Sequence, residues 1–271
     1  MKKEKIKWYF NRLKSMDIKE VVWRVEQKTL EKKEKQIFNS SRPQVIDEIF
    51  NKELVRLKSN FKYENLGLNF HNNNYSISNK LWLFDNYIYD DVKNNWSYGF
   101  NTENNWPNIF SYDIDYKQND EIGDARTNWE LNRHFQFTIL AKNYFITKDL
   151  EYYNELKVLF YDWNRRNTFL IGISWTSVME IAIRAYSWIV TLSFLIAANI
   201  EDSEDIINDL KFGIINMIDY CNNHHSRYSS ANNHLIIEMF SIGVAGVMFE
   251  NKEWYEKAID VLNKELFIQN Y

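Results

Sequence analysis

From Thr127 onward the apolar positions recur at intervals of three and four, a spacing that predicts a succession of long amphipathic helices. Trp129, Leu131, Phe135, Ile139 and Leu140 begin one helix, and after the Thr147-Lys148-Asp149 turn a second carries Tyr152, Leu156, Leu159, Phe160 and Trp163. Gly172 breaks the chain. A third helix, roughly Ser174 to Ala198, puts Val178, Ile181, Ala182, Ala185, Ile189, Leu192 and Ile196 on one face. Ser177, Glu180, Arg184, Ser187 and Thr191 fall on the opposite one. Asp202 or Ser203 caps a fourth, with Ile206, Ile207, Leu210, Ile214, Met217 and Ile218 in register. Ser230 reads as the N-cap of a fifth that runs to about Phe249, where Gly243 and Gly246 permit close approach of a neighbouring backbone. Asn251 starts a last one, Trp254 to Phe267. Short connections between long helices give antiparallel hairpins.

Upstream the pattern is less regular. Met16 to about Gln36 reads as a charged helix with Asp17 as cap and Val21, Val22, Val25 and Leu30 as its apolar side, ended by Ser41-Arg42-Pro43. A short helix is predicted over Ile46 to Lys58. Between about Asn60 and Asp120 the chain is rich in Asn and aromatic residues, with Tyr75-Ser-Ile-Ser and Leu81-Trp-Leu-Phe as candidate short strands. The expected organisation is therefore residues 1–126 as N-terminal helices and an aromatic-rich region, and 127–271 as helical hairpins of one continuous domain.

Composition narrows the class. Seven Gly and two Pro in 271 residues are too few breakers for many short strands and tight turns, which leaves an all-α fold. The formal net charge of -4 and a pI near 5.8 argue against nucleic acid as a partner. Lysines cluster before Met16, but no apolar stretch follows them, so a signal peptide is not expected and the localisation expected is cytoplasmic. A periplasmic or cell-surface location is the alternative. The longest apolar run, Ala185 to Ala198, is shorter than the ~20 residues of a membrane span. Cys221 is the only cysteine, which excludes an internal disulfide, and its helical context predicts a buried thiol. Aromatic residues make up 17% of the chain, enough to line a sugar-binding groove as well as a core.

Candidate chemistry concentrates in Ser229-Ser230-Ala231-Asn232-Asn233-His234, at the mouth of an apolar helix. Unpaired backbone N–H groups and the positive end of the helix dipole favour an anion there, and the Asn side chains add donors. Cap chemistry with a buried, satisfied histidine is the plainer alternative. Glu180 and Arg184, four residues apart, form either a surface ion pair or a fork for a carboxylate or sulfate with Glu180 as its support. His224, His225 and His234 straddle a loop without carboxylates at ligand spacing, so neither a metal nor another cofactor is expected.

Four ordered segments resemble the N-terminal helical domain of the heparinase II/III-like polysaccharide lyases, a family that includes alginate lyases and heparin or heparan sulfate lyases. They are Thr127-Asn-Trp-Glu-Leu-Asn-Arg133, Asp162-Trp-Asn-Arg-Arg-Asn167, Gly172-Ile-Ser-Trp-Thr-Ser-Val-Met-Glu180 through Arg184, and Asn232-Asn-His-Leu235. The opening Trp8 to Met16 is similar to members associated with surface-polysaccharide loci. Thr168 stands where the family usually has Pro, and Ser174 where it has Asn.

The resemblance implies an incomplete (α/α) toroid followed by a β-sandwich, and cleavage of a uronic-acid polysaccharide by β-elimination. Asn233 matches the carboxylate-neutralising Asn of the family and His234 the adjacent active-site His. Arg184, Glu180, Trp175 and Asn232 are the expected substrate-binding residues, with Trp175 offering a stacking face. The catalytic Tyr and the sandwich of relatives would lie beyond Tyr271, which leaves the toroid alone. Three readings follow: a lyase N-terminal domain, inactive or weak without that remainder; a non-catalytic protein that binds acidic polysaccharide or assists assembly; and, third, a glycosidase on an α/α toroid. The expected partner is an acidic, uronate-containing polysaccharide or oligosaccharide; oligomeric state is not legible.

Overall fold

The computed structural model describes residues 16–40, 82–83, 87–88, 95–100, 102, 104–117, 121–200 and 204–269. Aspartates set two of the helix starts. Asp124 accepts from the Arg126 amide at 2.9 Å and Asp149 from the Glu151 amide at 3.0 Å, each satisfying an orphan donor of the first turn. The helices are α1 (Ile18–Ser40), α2 (Ala125–Leu131), α3 (Phe135–Thr147), α4 (Leu150–Arg166), α5 (Val178–Ala198), α6 (Glu204–His224), α7 (Asn233–Met248) and α8 (Lys252–Gln269). Two-residue strands, β1 (Trp82–Leu83) and β2 (Tyr87–Ile88), pair antiparallel. The Leu81 to Phe84 strand expected from the sequence is thus present in part; the Tyr75 strand and the Ile46 to Lys58 helix lie outside the described residues.

The helix expected to run on from Thr127 is two helices. Asn132 turns its amide back onto the carbonyls of Trp96 and Asn128, both at 2.9 Å, and His134 takes a left-handed backbone at φ 62°. The ladder breaks between Leu131 and Phe135 as a result. Beyond it α3 and α4, α5 and α6, and α7 and α8 form hairpins, and α5 packs on both α3 and α7. The hairpins make α3, α5 and α7 a parallel inner row whose N-termini open on one face, with α4, α6 and α8 outside them.

Helix α5 is the centre of the core. Of its expected apolar face Ile181, Ala182, Ala185, Ile189 and Leu192 are fully buried, while Val178 and Ile196 are half-buried. The opposite face is buried too: Glu180, Arg184, Ser187 and Thr191 are at most 2% exposed. Neighbouring helices supply their partners. Thr138 of α3 donates to the Ser187 carbonyl at 3.1 Å and meets the Thr191 hydroxyl at 3.2 Å, which ties the inner row together through polar contacts. At 21 residues α5 is long and apolar enough to cross a membrane by composition, yet most of it is buried within the array.

Helix α1 corrects a second expectation. Val22 and Val25 are 50% and 61% exposed, and the helix docks by its polar side instead. Glu34 accepts from the Tyr112 hydroxyl at 2.8 Å and pairs with His224 Nε2 at 2.7 Å, while Trp23 meets Tyr228 at 5.8 Å between ring centroids. Residues 109–111 run beside 170–172, held by the Ser111 amide on the Leu170 carbonyl and the Gly172 amide on the Ile109 carbonyl, both 2.8 Å.

Gly246 lets α7 and α8 close. A Cβ there would sit 2.6 Å from the Tyr255 nitrogen and 3.0 Å from the Asn251 carbonyl. Ala normally stabilises a helix interior over Gly by about 0.5–1 kcal/mol, whereas overpacking against backbone costs roughly 1–3 kcal/mol. Sterics win here, so Gly246→Ala lowers stability. A urea midpoint equal to or above that of the unmodified chain would contradict this.

Candidate functional site

The segment from His225 to Asn232 joins the end of α6 to the start of α7 and is held in an unusual shape. Tyr228 has φ 53°, and Asn232, in the N-cap position, has φ 77° and ψ -140°, a region close to glycine-only backbone. Strain of this kind, of order 1–3 kcal/mol, persists only where the surroundings over-determine it. The surroundings do so. Buried Glu238, on the second turn of α7, accepts from the Ser226 amide at 2.6 Å and its hydroxyl at 3.0 Å. Lys257 of α8 caps the end of α6 through the Asn222 carbonyl at 2.9 Å and side-chain oxygen at 2.7 Å.

His225 orients Arg227. Its Nδ1–H donates to the Asn222 carbonyl at 2.9 Å, leaving Nε2 to accept from Arg227 Nε at 3.0 Å. Burial, then the charges of Arg227 and Lys257, push this imidazole down to about 4, so it stays neutral and can play the acceptor. Arg227 is exposed and keeps its terminal nitrogens turned away from that bond.

Three of the expected site residues come together on this loop. Asn232, Asn233 and His234 are all exposed, and neither the Asn233 amide nor the His234 ring bonds another described residue. The helix starts later than the Ser230 cap implies: residues 228–230 form a 3-10 turn, Asn232 stands at the cap, and Asn233 opens the first turn. The alternative of a buried, satisfied His234 does not match its exposure. The 16 residues of α7 place the positive end of a helix dipole beneath these side chains.

The other expected residues are scaffold. Arg184 is fully buried; it donates to the Asn132 carbonyl at 3.2 Å and the Ser174 carbonyl at 3.0 Å, and its guanidinium lies 4.9 Å from the ring centroids of both Trp163 and Trp175. Burial lowers its pKa to about 9, which leaves it charged at neutral pH. Trp175, 5% exposed, spends a face on that cation and packs edge-to-face on Phe169, so it offers no open stacking platform. Glu180 makes no hydrogen bond to Arg184 and acts on it only through its charge. It takes a two-pronged bond from Arg133, at 2.6 and 3.0 Å, and Arg133 also reaches Glu130. Burial alone would lower the Arg133 pKa, but the two carboxylates outweigh it and raise the value.

Sequence spacing pointed to the i, i+4 partner and missed Arg133, 47 positions away. Arg227 and Glu238 were also missed, because nothing local marks a histidine that orients an arginine or a carboxylate that caps a distant turn. Cys221 is buried as expected, its thiol raised well above the ordinary value chiefly by burial. Among the described residues no group of three His, Cys, Asp or Glu side chains is placed to share a metal ion.

The helical array and this site can now be set beside known proteins. The sequence model described as Heparinase II/III N-terminus matches residues 9–271, and the chain belongs to that family. The crystal structure of heparan sulfate lyase HepC from Pedobacter heparinus superposes with a TM-score of 0.53 at 18% identity, over 80% of this chain and 34% of that one. A mutant of the same lyase gives 0.45 at 23% identity, over 60% of this chain and 26% of that one. The 0.53 superposition shows a shared helical fold. The chain spans about a third of the length of that lyase. No curated protein matches it.

Glu238 makes the loop pH-sensitive. Burial raises its pKa from 4.5 to about 7 against the two Ser226 bonds, so across that window the folded chain holds more protons than the unfolded one. Its contribution to stability therefore falls as pH rises from about 4.5 to 7. His225, lowered from 6.5 to about 4, contributes in the opposite sense within its own window, with stability rising as pH rises. Comparing the chain with Glu238→Gln isolates the first slope: relative to the variant, the unmodified chain loses stability as pH is raised through about 4.5 to 7. A pH-independent difference in urea stability would refute this assignment.

Proposed function

We propose that this chain is the N-terminal, carboxylate-binding part of a polysaccharide lyase that cleaves uronic-acid-containing polysaccharide by β-elimination. Family membership supports the reading, and one observation carries it: an exposed amide and imidazole, Asn233 and His234, presented at a helix N-terminus by a loop held in strained backbone. A uronate C5 proton is too weakly acidic to remove while the neighbouring carboxylate keeps its full charge. Donors fixed in advance at that carboxylate lower the cost of charge developing beside it and need no reorganisation during reaction. Asn233 and the first-turn amides of α7 fill this role in our reading. Loss of the C5 proton then forms the C4–C5 double bond as the O4 leaving group departs with its electron pair and takes up a proton.

Arg227 replaces Arg184 as the cation of this site. Arg184 is sealed in the core, and Arg133 is shared between two carboxylates, whereas Arg227 is exposed and oriented by neutral His225. The base and acid of the reaction, a Tyr in the family the sequence resembles, we place outside these 271 residues. The chain by itself is then a weak, salt-sensitive binder of acidic oligosaccharides that releases no unsaturated product.

Calorimetry with uronate oligosaccharides tests this. Charge-assisted bonds in an open site give millimolar affinity, ~4 kcal/mol, that weakens with added salt. Asn233→Ala and Arg227→Gln are each expected to weaken binding about fivefold, ~1 kcal/mol. Equal binding of neutral oligosaccharides, or unchanged affinity in both variants, would overturn the assignment.

A further inference from the structure

Helices α4 and α6 and residues 167–175 line a cavity of about 310 Å³. This lies at the small end of the ~300–1,000 Å³ typical of ligand sites, large enough for a monosaccharide. Its walls are aromatic, with Phe169 and Phe212 half-buried at the opening and the edges of Trp163, Trp175 and Trp188 behind them. The floor depends on Gly213, since a Cβ there would fall 2.3 Å from the Trp188 ring. The rim is polar. Asn216 is half-buried and makes no hydrogen bond to another described residue, and the Thr168 side chain likewise makes none. Asn164 commits its amide N–H to the Phe160 carbonyl at 3.0 Å, which leaves its oxygen as an acceptor.

Charge decides which ring fits. Asp209 lines the cavity, the Tyr161 hydroxyl hydrogen-bonds it, and Asp205 lies close enough to act on the same hydroxyl. No Lys, Arg or His is among the lining residues. A uronate would bring its carboxylate against Asp209 without a compensating cation. A purely apolar ligand would cover Asn216, Thr168 and Asp209 and leave them unpaired at a cost. Hydroxyls, or an amine, on a ring with an apolar face satisfy both the aromatic wall and the rim.

We infer that this cavity is an accessory carbohydrate site for a neutral or amine-bearing sugar ring, separate from the carboxylate site at the start of α7. The inference does not rest on the lyase reading. Saturation-transfer NMR with methyl glucoside, glucosamine and glucuronate, each with the full 271-residue chain, tests it. Methyl glucoside and glucosamine give saturable millimolar binding, and glucuronate competes with them about tenfold more weakly or not at all. Asn216→Leu, a rim change that leaves the packed core intact, lowers affinity for the first two about tenfold. Asp209→Asn weakens glucosamine selectively and reduces the discrimination against glucuronate. Asn233→Ala leaves binding of methyl glucoside and glucosamine unchanged, which separates this site from the other. Absence of saturable binding by the two non-anionic sugars, or affinity untouched by both Asn216→Leu and Asp209→Asn in a chain with unaltered circular dichroism, would overturn it.

Discussion

A charged guanidinium sealed in the core constrains the rest of this fold. Arg184 has no exposed surface, and isolating a charge there would be prohibitive without close compensation. Two backbone carbonyls and two tryptophan faces provide it: Asn132 and Ser174 accept, and Trp163 and Trp175 flank the plane. These four residues come from the turn after α2, the body of α4 and the approach to α5. One side chain therefore fixes three chain segments relative to the inner row. Removing it would leave two carbonyls and a cavity, the kind of loss that costs several kcal/mol, far more than a surface pair of ~0.3–0.5 kcal/mol.

From this clamp the site follows by successive contacts. Asn132, whose carbonyl Arg184 holds, also accepts from Trp163 Nε1 at 2.8 Å and donates to the Trp96 carbonyl, so the aromatic-rich segment is moored to the same point. Next to it Arg133 bonds Glu180 on the first turn of α5. Helix α6 touches that turn through Cys221 Sγ on the Val178 carbonyl at 3.7 Å, and α7 reaches the end of α6 through Glu238 on Ser226. The N-termini of α3, α5 and α7 are thereby held side by side. At the start of α7 Asn233 and His234 are exposed, and the backbone of Asn232 beside them is strained. A packed interior beneath a strained, exposed polar rim suits preorganised binding of an anion.

Much of the helical fold was legible because helix periodicity and capping are local. The Thr147-Lys148-Asp149 turn, the α4 residues Leu156, Leu159, Phe160 and Trp163, and the small residue at Gly246 are all read from local sequence. The break at Asn132 was not, since it depends on Trp96 lying across the turn. The Asn128 and Asn132 amides are buried brackets for the Trp96 and Tyr98 carbonyls. The same limit applied to the site. Asn232, Asn233 and His234 were singled out because a helix start is a local signal, whereas Glu180 and Arg184 were paired with each other because spacing cannot see Arg133 or the tryptophan sandwich. Helix α1 failed differently: its valines look like a core stripe, and only the Glu34, Tyr112 and His224 contacts show that its polar face docks.

The central claim is that the start of α7 receives a uronate carboxylate. Backbone and side-chain amide chemical shifts, recorded while a uronate trisaccharide is titrated into the isotope-labelled chain, test it without relying on any variant. The account predicts that the largest shifts fall on the backbone amides of residues 233–235, the Asn233 side-chain amide and the Arg227 guanidinium, with Arg184 and Trp175 unmoved. Shifts centred on Arg184, Trp175 and the cavity lined by α4 and α6, with the first turn of α7 unperturbed, would contradict it.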